Sequence, residues 1–163
     1  MYLGDTPRPL PEGLRPSGLS FFSTLLEQVK DYNPLQRVLL TCAGTLQGTL
    51  SADFGAEVAV RVLKQDNQGN GIIYRSVSLL AGPRVVCTAD SALKIARKDI
   101  RQEVLARQLG IGQILEKLGV SPRFDLLEVG HDPESFWREY ELRAEGVSYR
   151  ITEVFPSDLY QCR

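Results

Sequence analysis

Apolar residues recur at three- and four-residue steps from Leu19 to Asp31, where Phe21, Phe22, Leu25, Leu26 and Val29 share a side and Ser20 stands in the cap position. This spacing predicts an amphipathic helix. Pro34 suits the first turn of a second helix from Leu35 to Cys42, broken at Ala43-Gly44, and a third short helix or turn follows around Thr45 to Ser51. After Gly55 the period drops to two. Val58, Val60 and Val62 form one face of a strand that stops at the Asn- and Gly-rich stretch 66–71, a second strand runs from Ile72 to Leu80, and a third from Arg84 to roughly Ser91. Strands joined by such short turns are antiparallel neighbours. Helical spacing returns at Ile100, Val104 and Ala106 to Leu109, and another short helix from Ile111 to Leu118 ends at Gly119 with Pro122 beyond it. Three strands close the chain: Phe124 to Val129, Arg138 to Ala144, and Val147 to Phe155, the last two joined at Glu145-Gly146.

Helices, three strands, helices, three strands is the order of an α+β domain: a single six-stranded antiparallel sheet with its helices on one face. Residues 1–18 carry four prolines and three glycines and read as an N-terminal arm, leaving 19–163 as a single domain.

Two strands carry charges where their alternation calls for apolar groups. In the second, Arg75 shares a row with Ile73, Val77 and Leu79, while Tyr74, Ser76 and Ser78 point the other way. In the last, Glu153 shares a row with Val147, Tyr149, Ile151 and Phe155, opposite Ser148, Arg150 and Thr152. Both are expected to face the core. A buried guanidinium keeps its proton and needs an anion, and a buried carboxylate needs a donor. Two readings follow. Arg75 and Glu153 form a structural ion pair with each other, or they face a closed pocket where Arg75 grips a substrate carboxylate and Glu153 handles a hydroxyl or a proton.

Composition narrows the chemistry. Nineteen Lys and Arg against twenty Asp and Glu give a net charge of −1, which speaks against nucleic-acid binding. Cys42, Cys87 and Cys162 are an odd number without C-x-x-C spacing, so a reducing, cytoplasmic setting is expected and Cys42 and Cys87 read as inert core residues. A single histidine, His131, is too few for a His/Cys zinc site, and it precedes Asp132-Pro133 in an expected turn. No apolar run reaches the length of a membrane span, and no signal-peptide order opens the chain. The run Lys94, Arg97, Lys98, Arg101 reads first as a solvated face and second as an anion-steering patch. The Gly-x-Gly pairs at 69–71 and 110–112 lack the third glycine and the strand-to-helix context of a dinucleotide site.

Four blocks occur in a telling order: Ile73-Tyr74-Arg75-Ser76-Val77-Ser78-Leu79-Leu80, Val86-Cys87-Thr88-Ala89-Asp90-Ser91, Gly110-Ile111-Gly112-Gln113-Ile114-Leu115, and Ile151-Thr152-Glu153-Val154-Phe155-Pro156 with Leu159-Tyr160. Between about Pro34 and Tyr160 the chain thereby resembles the chorismate lyase family, most nearly its shorter cyanobacterial and plastid-type branch. The resemblance implies a ligand enclosed beneath helical flaps and a lyase that removes pyruvate from chorismate to leave 4-hydroxybenzoate, the ring precursor of ubiquinone or plastoquinone, without metal or organic cofactor. It implies Arg75 at the ring carboxylate, Glu153 near the ring hydroxyl, Ile111 as the apolar residue at the helix entry and Leu46 as the flap residue.

The sequence also departs from the family. The flap reads Ala43-Gly44-Thr45-Leu46-Gln47, where relatives have Asp-Gly-Ser and a Thr after the apolar residue. A second arginine found in enterobacterial relatives falls here at about Ala89. Arg61, Lys64, Lys94 and Arg97 are therefore the candidates for the enolpyruvyl carboxylate. The same fold also serves as an effector-sensing domain, so a non-catalytic module that binds small aromatic acids is the alternative.

Overall fold

The structure, a computed structural model, describes residues 25–43 and 46–160. The expected arm at 1–18, the Ser20 cap, the Gly44-Thr45 step and Cys162 lie outside these residues. Residues 25–29 are helical (α1). Asn33 accepts the backbone N–H of Gln36, and the Gln36 side chain accepts that of Asn33. This reciprocal cap starts α2 (Pro34–Thr41), with proline at the first turn as its spacing predicts. Helix α3 (Leu46–Phe54) runs three residues beyond the expected Ser51. The remaining helices are α4 (Lys98–Ala106), shorter than the pattern reaching Leu109, and α5 (Ile111–Lys117).

The strands are β1 (Val58–Asn67), β2 (Ile72–Ala81), β3 (Arg84–Ile95), β4 (Arg123–His131), β5 (Ser135–Ala144) and β6 (Val147–Pro156). They form one antiparallel sheet in the order β1-β2-β3-β6-β5-β4. β3 outlasts its expected end at Ser91 because it is paired on both sides: Ala92, Leu93, Lys94 and Ile95 lie opposite Arg150, Tyr149, Ser148 and Val147 of β6. Leu93 and Ile95 are thereby buried. His131 is the last residue of β4 rather than part of a turn, and the turn begins at Asp132, whose carboxylate accepts the backbone N–H groups of Glu134 and Ser135. Among the described residues no helix is long and apolar enough to cross a membrane.

The helices cover the sheet face that carries Ile73, Arg75, Val77 and Leu79, and the core beneath them has two parts. At one end Leu39, Leu40, Leu46 and Leu50 from α2 and α3 meet Leu79, Cys87, Phe136 and Phe155. At the other, Ile100 and Val104 of α4 and Ile114 and Leu115 of α5 meet Ile73, Leu93, Tyr149 and Ile151. Register lays one row of residues across all six strands between the two clusters: Val62, Val77, Ala89, Glu153, Arg138 and Val129. The sheet is thus covered by two separate helical groups, and the polar residues collect at the seam.

Each edge strand holds one residue out of register, Leu63 in β1 and Leu127 in β4, and both side chains are exposed. Bulges of this kind twist an edge away from pairing with another chain. The β1–β2 hairpin is pinned at Gly71, whose carbonyl accepts the Ile95 N–H. Gly71 has φ +78, and a Cβ there would lie 2.6 Å from the Ile95 carbonyl oxygen. Gly69 in the same loop has φ +76 and nothing within 4 Å. Gly71→Ala is therefore expected to lower the unfolding free energy by about 2 kcal/mol or more, with Gly69→Ala costing roughly half that in the same urea titration. Equal losses for the two variants would mean that the left-handed backbone alone, and not the contact with β3, fixes the glycine.

Candidate functional site

At the seam a cavity of about 90 Å³ lies between the sheet and the helices. Its sheet side is formed by Val60, Arg75, Val77, Ala89, Ile151 and Glu153, its helix side by Leu46, Gln47 and the α5 entry from Gly110 to Gln113. All four residues singled out in the sequence, Leu46, Arg75, Ile111 and Glu153, line this one cavity. They come from α3, β2, α5 and β6, and the sheet order brings β2 and β6 within one strand of each other.

Arg75 and Glu153 do not bond to each other, so the expected structural pair between them is corrected. Glu153 is taken by β5 instead: Arg138 Nε donates to Oε2 at 2.6 Å and the Tyr140 hydroxyl donates to Oε1 at 2.8 Å. Arg138 sits directly opposite Glu153 in register and is 1% exposed. Its Nη1 also donates to the carbonyls of Leu40 and Cys42, at 3.3 and 2.8 Å. These belong to the C-terminal turn and cap of α2, where carbonyls lack helical partners and a cation is favoured. Tyr140 lies beneath the guanidinium, with its ring centroid 4.5 Å from the Arg138 carbon. Burial is the largest single influence and opposes the Arg138 charge, but Glu153, Cys42 and Tyr140 together outweigh it and raise the pKa above the ordinary value. Burial, reinforced by the Glu153 charge, pushes the Tyr140 phenol well up, so it stays a donor.

Arg75 is 2% exposed and far less satisfied. Nη2 donates to the Arg107 carbonyl at 3.3 Å, just past the end of α4, while Nε and Nη1 are buried without a partner. Burial lowers its pKa from the ordinary value, yet a guanidinium holds its proton throughout the physiological range. A buried cation left with two unpaired nitrogens and no anion carries an uncompensated desolvation cost. Arg61, Lys64, Lys94 and Arg97 do not supply a second cation: none lines the cavity, Arg61, Lys64 and Lys94 are exposed, and Lys64 and Arg97 pair with Asp66 and Asp99. Ala89 lies in the cavity wall opposite Glu153.

The lesser candidates lie elsewhere. His131 is exposed, with its ring against Tyr32, and Lys98 and Arg101 on α4 are outside the cavity lining. Cys42 and Cys87 are free thiols that burial pushes upward in pKa, Cys87 strongly, which keeps them protonated and unreactive. No group of three or more His, Cys, Asp or Glu side chains that could hold a metal occurs among the described residues. Arg138 was legible in the sequence, since Phe136, Arg138, Tyr140 and Leu142 alternate as regularly as the rows that flagged Arg75 and Glu153.

Because Arg138 answers Glu153, Glu153→Gln does more than replace a carboxylate by an amide. It leaves a buried guanidinium without its anion, and a loss of about 3 to 5 kcal/mol is expected from either Glu153→Gln or Arg138→Met in chemical denaturation. The double replacement Arg138→Met with Glu153→Leu should cost much less than the sum, and full additivity would show that the two side chains do not depend on each other.

Tyr149 offers a second test. Its hydroxyl is buried without a partner, and burial raises its pKa against the opposing charges of Arg75 and Arg97. Tyr140, Cys42 and Cys87 are raised as well. Groups with raised pKa hold protons more tightly folded than unfolded, so stability is complete below the unfolded values and falls as pH rises past them. Those values are 9.0 for a thiol and 10.0 for a phenol. Urea midpoints are expected to be level up to about pH 8.5 and to fall above it. Tyr149→Phe should be neutral or stabilising at pH 7 and reduce the alkaline loss, whereas a parallel loss in wild type and variant would exclude Tyr149 as a source.

No protein-family model matches this chain, and no curated protein matches it significantly.

Proposed function

We propose that the protein is a chorismate lyase, releasing pyruvate from chorismate and leaving 4-hydroxybenzoate for quinone biosynthesis. The observation that carries this reading is Arg75: a buried guanidinium with two unpartnered nitrogens beside a small cavity whose other walls are largely apolar. Largely apolar walls around one convergent cation suit a carboxylated ring. The resemblance of the four sequence blocks supplies the reaction.

In this reading Arg75 holds the ring carboxylate through charge-assisted bonds, and Val77, Ile111 and Leu46 enclose the ring. The ether bond to the enolpyruvyl group breaks, the hydrogen on the hydroxyl-bearing ring carbon ends on the enolpyruvyl methylene, and the ring becomes aromatic. Aromatisation makes the step strongly downhill, so the protein's task is to hold one conformer, and positioning alone contributes about 7 to 11 kcal/mol in favourable systems. Glu153 lines the cavity with both oxygens already accepting hydrogen bonds, one from Arg138 and one from Tyr140. That arrangement favours a fixed wall of the cavity over a group that swings to carry a proton.

Purified protein mixed with chorismate is expected to yield pyruvate and 4-hydroxybenzoate in equal amounts. Arg75→Ala should abolish most turnover and weaken 4-hydroxybenzoate binding roughly 10- to 150-fold, the scale of one charge-assisted hydrogen bond, with Arg75→Lys recovering only part. Tight 4-hydroxybenzoate binding with no pyruvate released would instead identify a module that binds aromatic acids without catalysis. Unchanged affinity in a folded Arg75→Ala protein would overturn the carboxylate role.

A further inference from the structure

We propose that Gln47 is a specificity-determining residue of this cavity, whose side-chain oxygen accepts a hydrogen bond from a donor on the bound ligand, a hydroxyl in the first instance. The inference rests on the cavity binding a small aromatic or cyclohexadienyl acid, and it adds the group that such an acid must carry away from its carboxylate.

Gln47 lies in the first turn of α3, immediately after Leu46, and lines the cavity. Its amide is oriented by the protein. Nε2 donates to the Val58 carbonyl at the start of β1, at 2.6 Å, so the oxygen is the end left over. That oxygen is buried and has no hydrogen-bond partner. Buried amide oxygens are seldom left in this state, since an unanswered acceptor costs as much as a lost hydrogen bond. The other amide at the site does not share the defect, because Gln113 Oε1 accepts the Gly110 N–H at 2.9 Å.

The location separates this acceptor from the anion site. A Cβ built on Gly110 would lie 3.6 Å from Val60 Cγ2 and 3.7 Å from Gln47 Oε1, so the oxygen sits over the β1 residue paired with Leu79. Leu79 and Arg75 are four residues apart on β2, on the order of 13 Å along the strand. The row of Val77, Ala89 and Glu153 lies between them. The cavity thus has a donor-rich end at Arg75 and an acceptor end at Gln47. A ligand carboxylate is accepted at the first and repelled at the second, while a hydroxyl answers the orphan oxygen. The same polarity sets the direction in which an asymmetric acid enters.

The test compares binding of 4-hydroxybenzoate and benzoate by calorimetry in three proteins. Wild type should prefer 4-hydroxybenzoate, and Gln47→Met, which keeps the side chain's bulk but removes the acceptor, should lose about tenfold of that preference while binding benzoate at least as well. Gly110→Ser approaches the same oxygen from the protein side. Gly110 has φ −64, which serine adopts freely, and the built Cβ meets only ordinary contacts, so the new hydroxyl can donate to Gln47 Oε1. This variant should raise the melting temperature and also erase the hydroxyl preference, which keeps the test open if Gln47→Met fails to fold.

An undiminished preference in either folded variant would overturn the role of Gln47 and leave the lyase reading standing. Loss of preference in a protein that releases no pyruvate from chorismate would sustain Gln47 and remove the lyase. Failure of wild type to bind either acid would overturn both.

Discussion

A buried ion pair organises this protein. Arg138 and Glu153 face each other across β5 and β6 in the middle of the helix-covered face, with almost no exposure to water. Two charges in that position are stable only if their remaining hydrogen-bonding capacity is met, since desolvation alone would exceed their attraction. Tyr140 and the carbonyls of Leu40 and Cys42 meet it. The arginine therefore does two jobs. It fixes the carboxylate on the sheet, and it ties the end of α2 to the same point, just before the chain reaches the cavity wall at Ala43.

The pair also decides the character of Arg75. Had Glu153 turned toward β2, the cavity would hold a neutralised pair and no reason to bind an anion. With Glu153 engaged on its far side, Arg75 has one carbonyl, that of Arg107, and two guanidinium nitrogens remain buried without a hydrogen-bond partner. Two arginines and one glutamate on adjoining rows thus leave one positive charge unanswered. In the proposed reading a carboxylated ligand would complete the count and relieve a cost that the folded protein already carries.

The two-part core provides the room. One group of helices covers the Leu79, Cys87, Phe136 and Phe155 end of the sheet and the other covers the Ile73, Leu93 and Tyr149 end. Neither closes over the row between them, where Val77 and Ala89 are small enough to leave space. Substituting a larger side chain at Ala89 would fill the cavity from the sheet side.

Much of this was legible in the sequence, for a physical reason. The two-residue period of a strand depends only on local backbone geometry, so the inward rows of β2 and β6, and with them the burial of Arg75 and Glu153, follow from composition along each strand. Caps and breakers are equally local, and Asn33-Pro34, Gly119 and Glu145-Gly146 mark their boundaries correctly. Alternation in Phe136, Arg138, Tyr140 and Leu142 carried the same kind of information about a third buried charge. What the sequence did not contain was the pairing of strands distant along the chain. β6 inserts between β3 and β5, which lengthens β3 and sets Arg138 and not Arg75 against Glu153. Each of these depends on which surfaces meet once the chain has closed on itself, and periodicity reports which side a residue faces but not what it finds there.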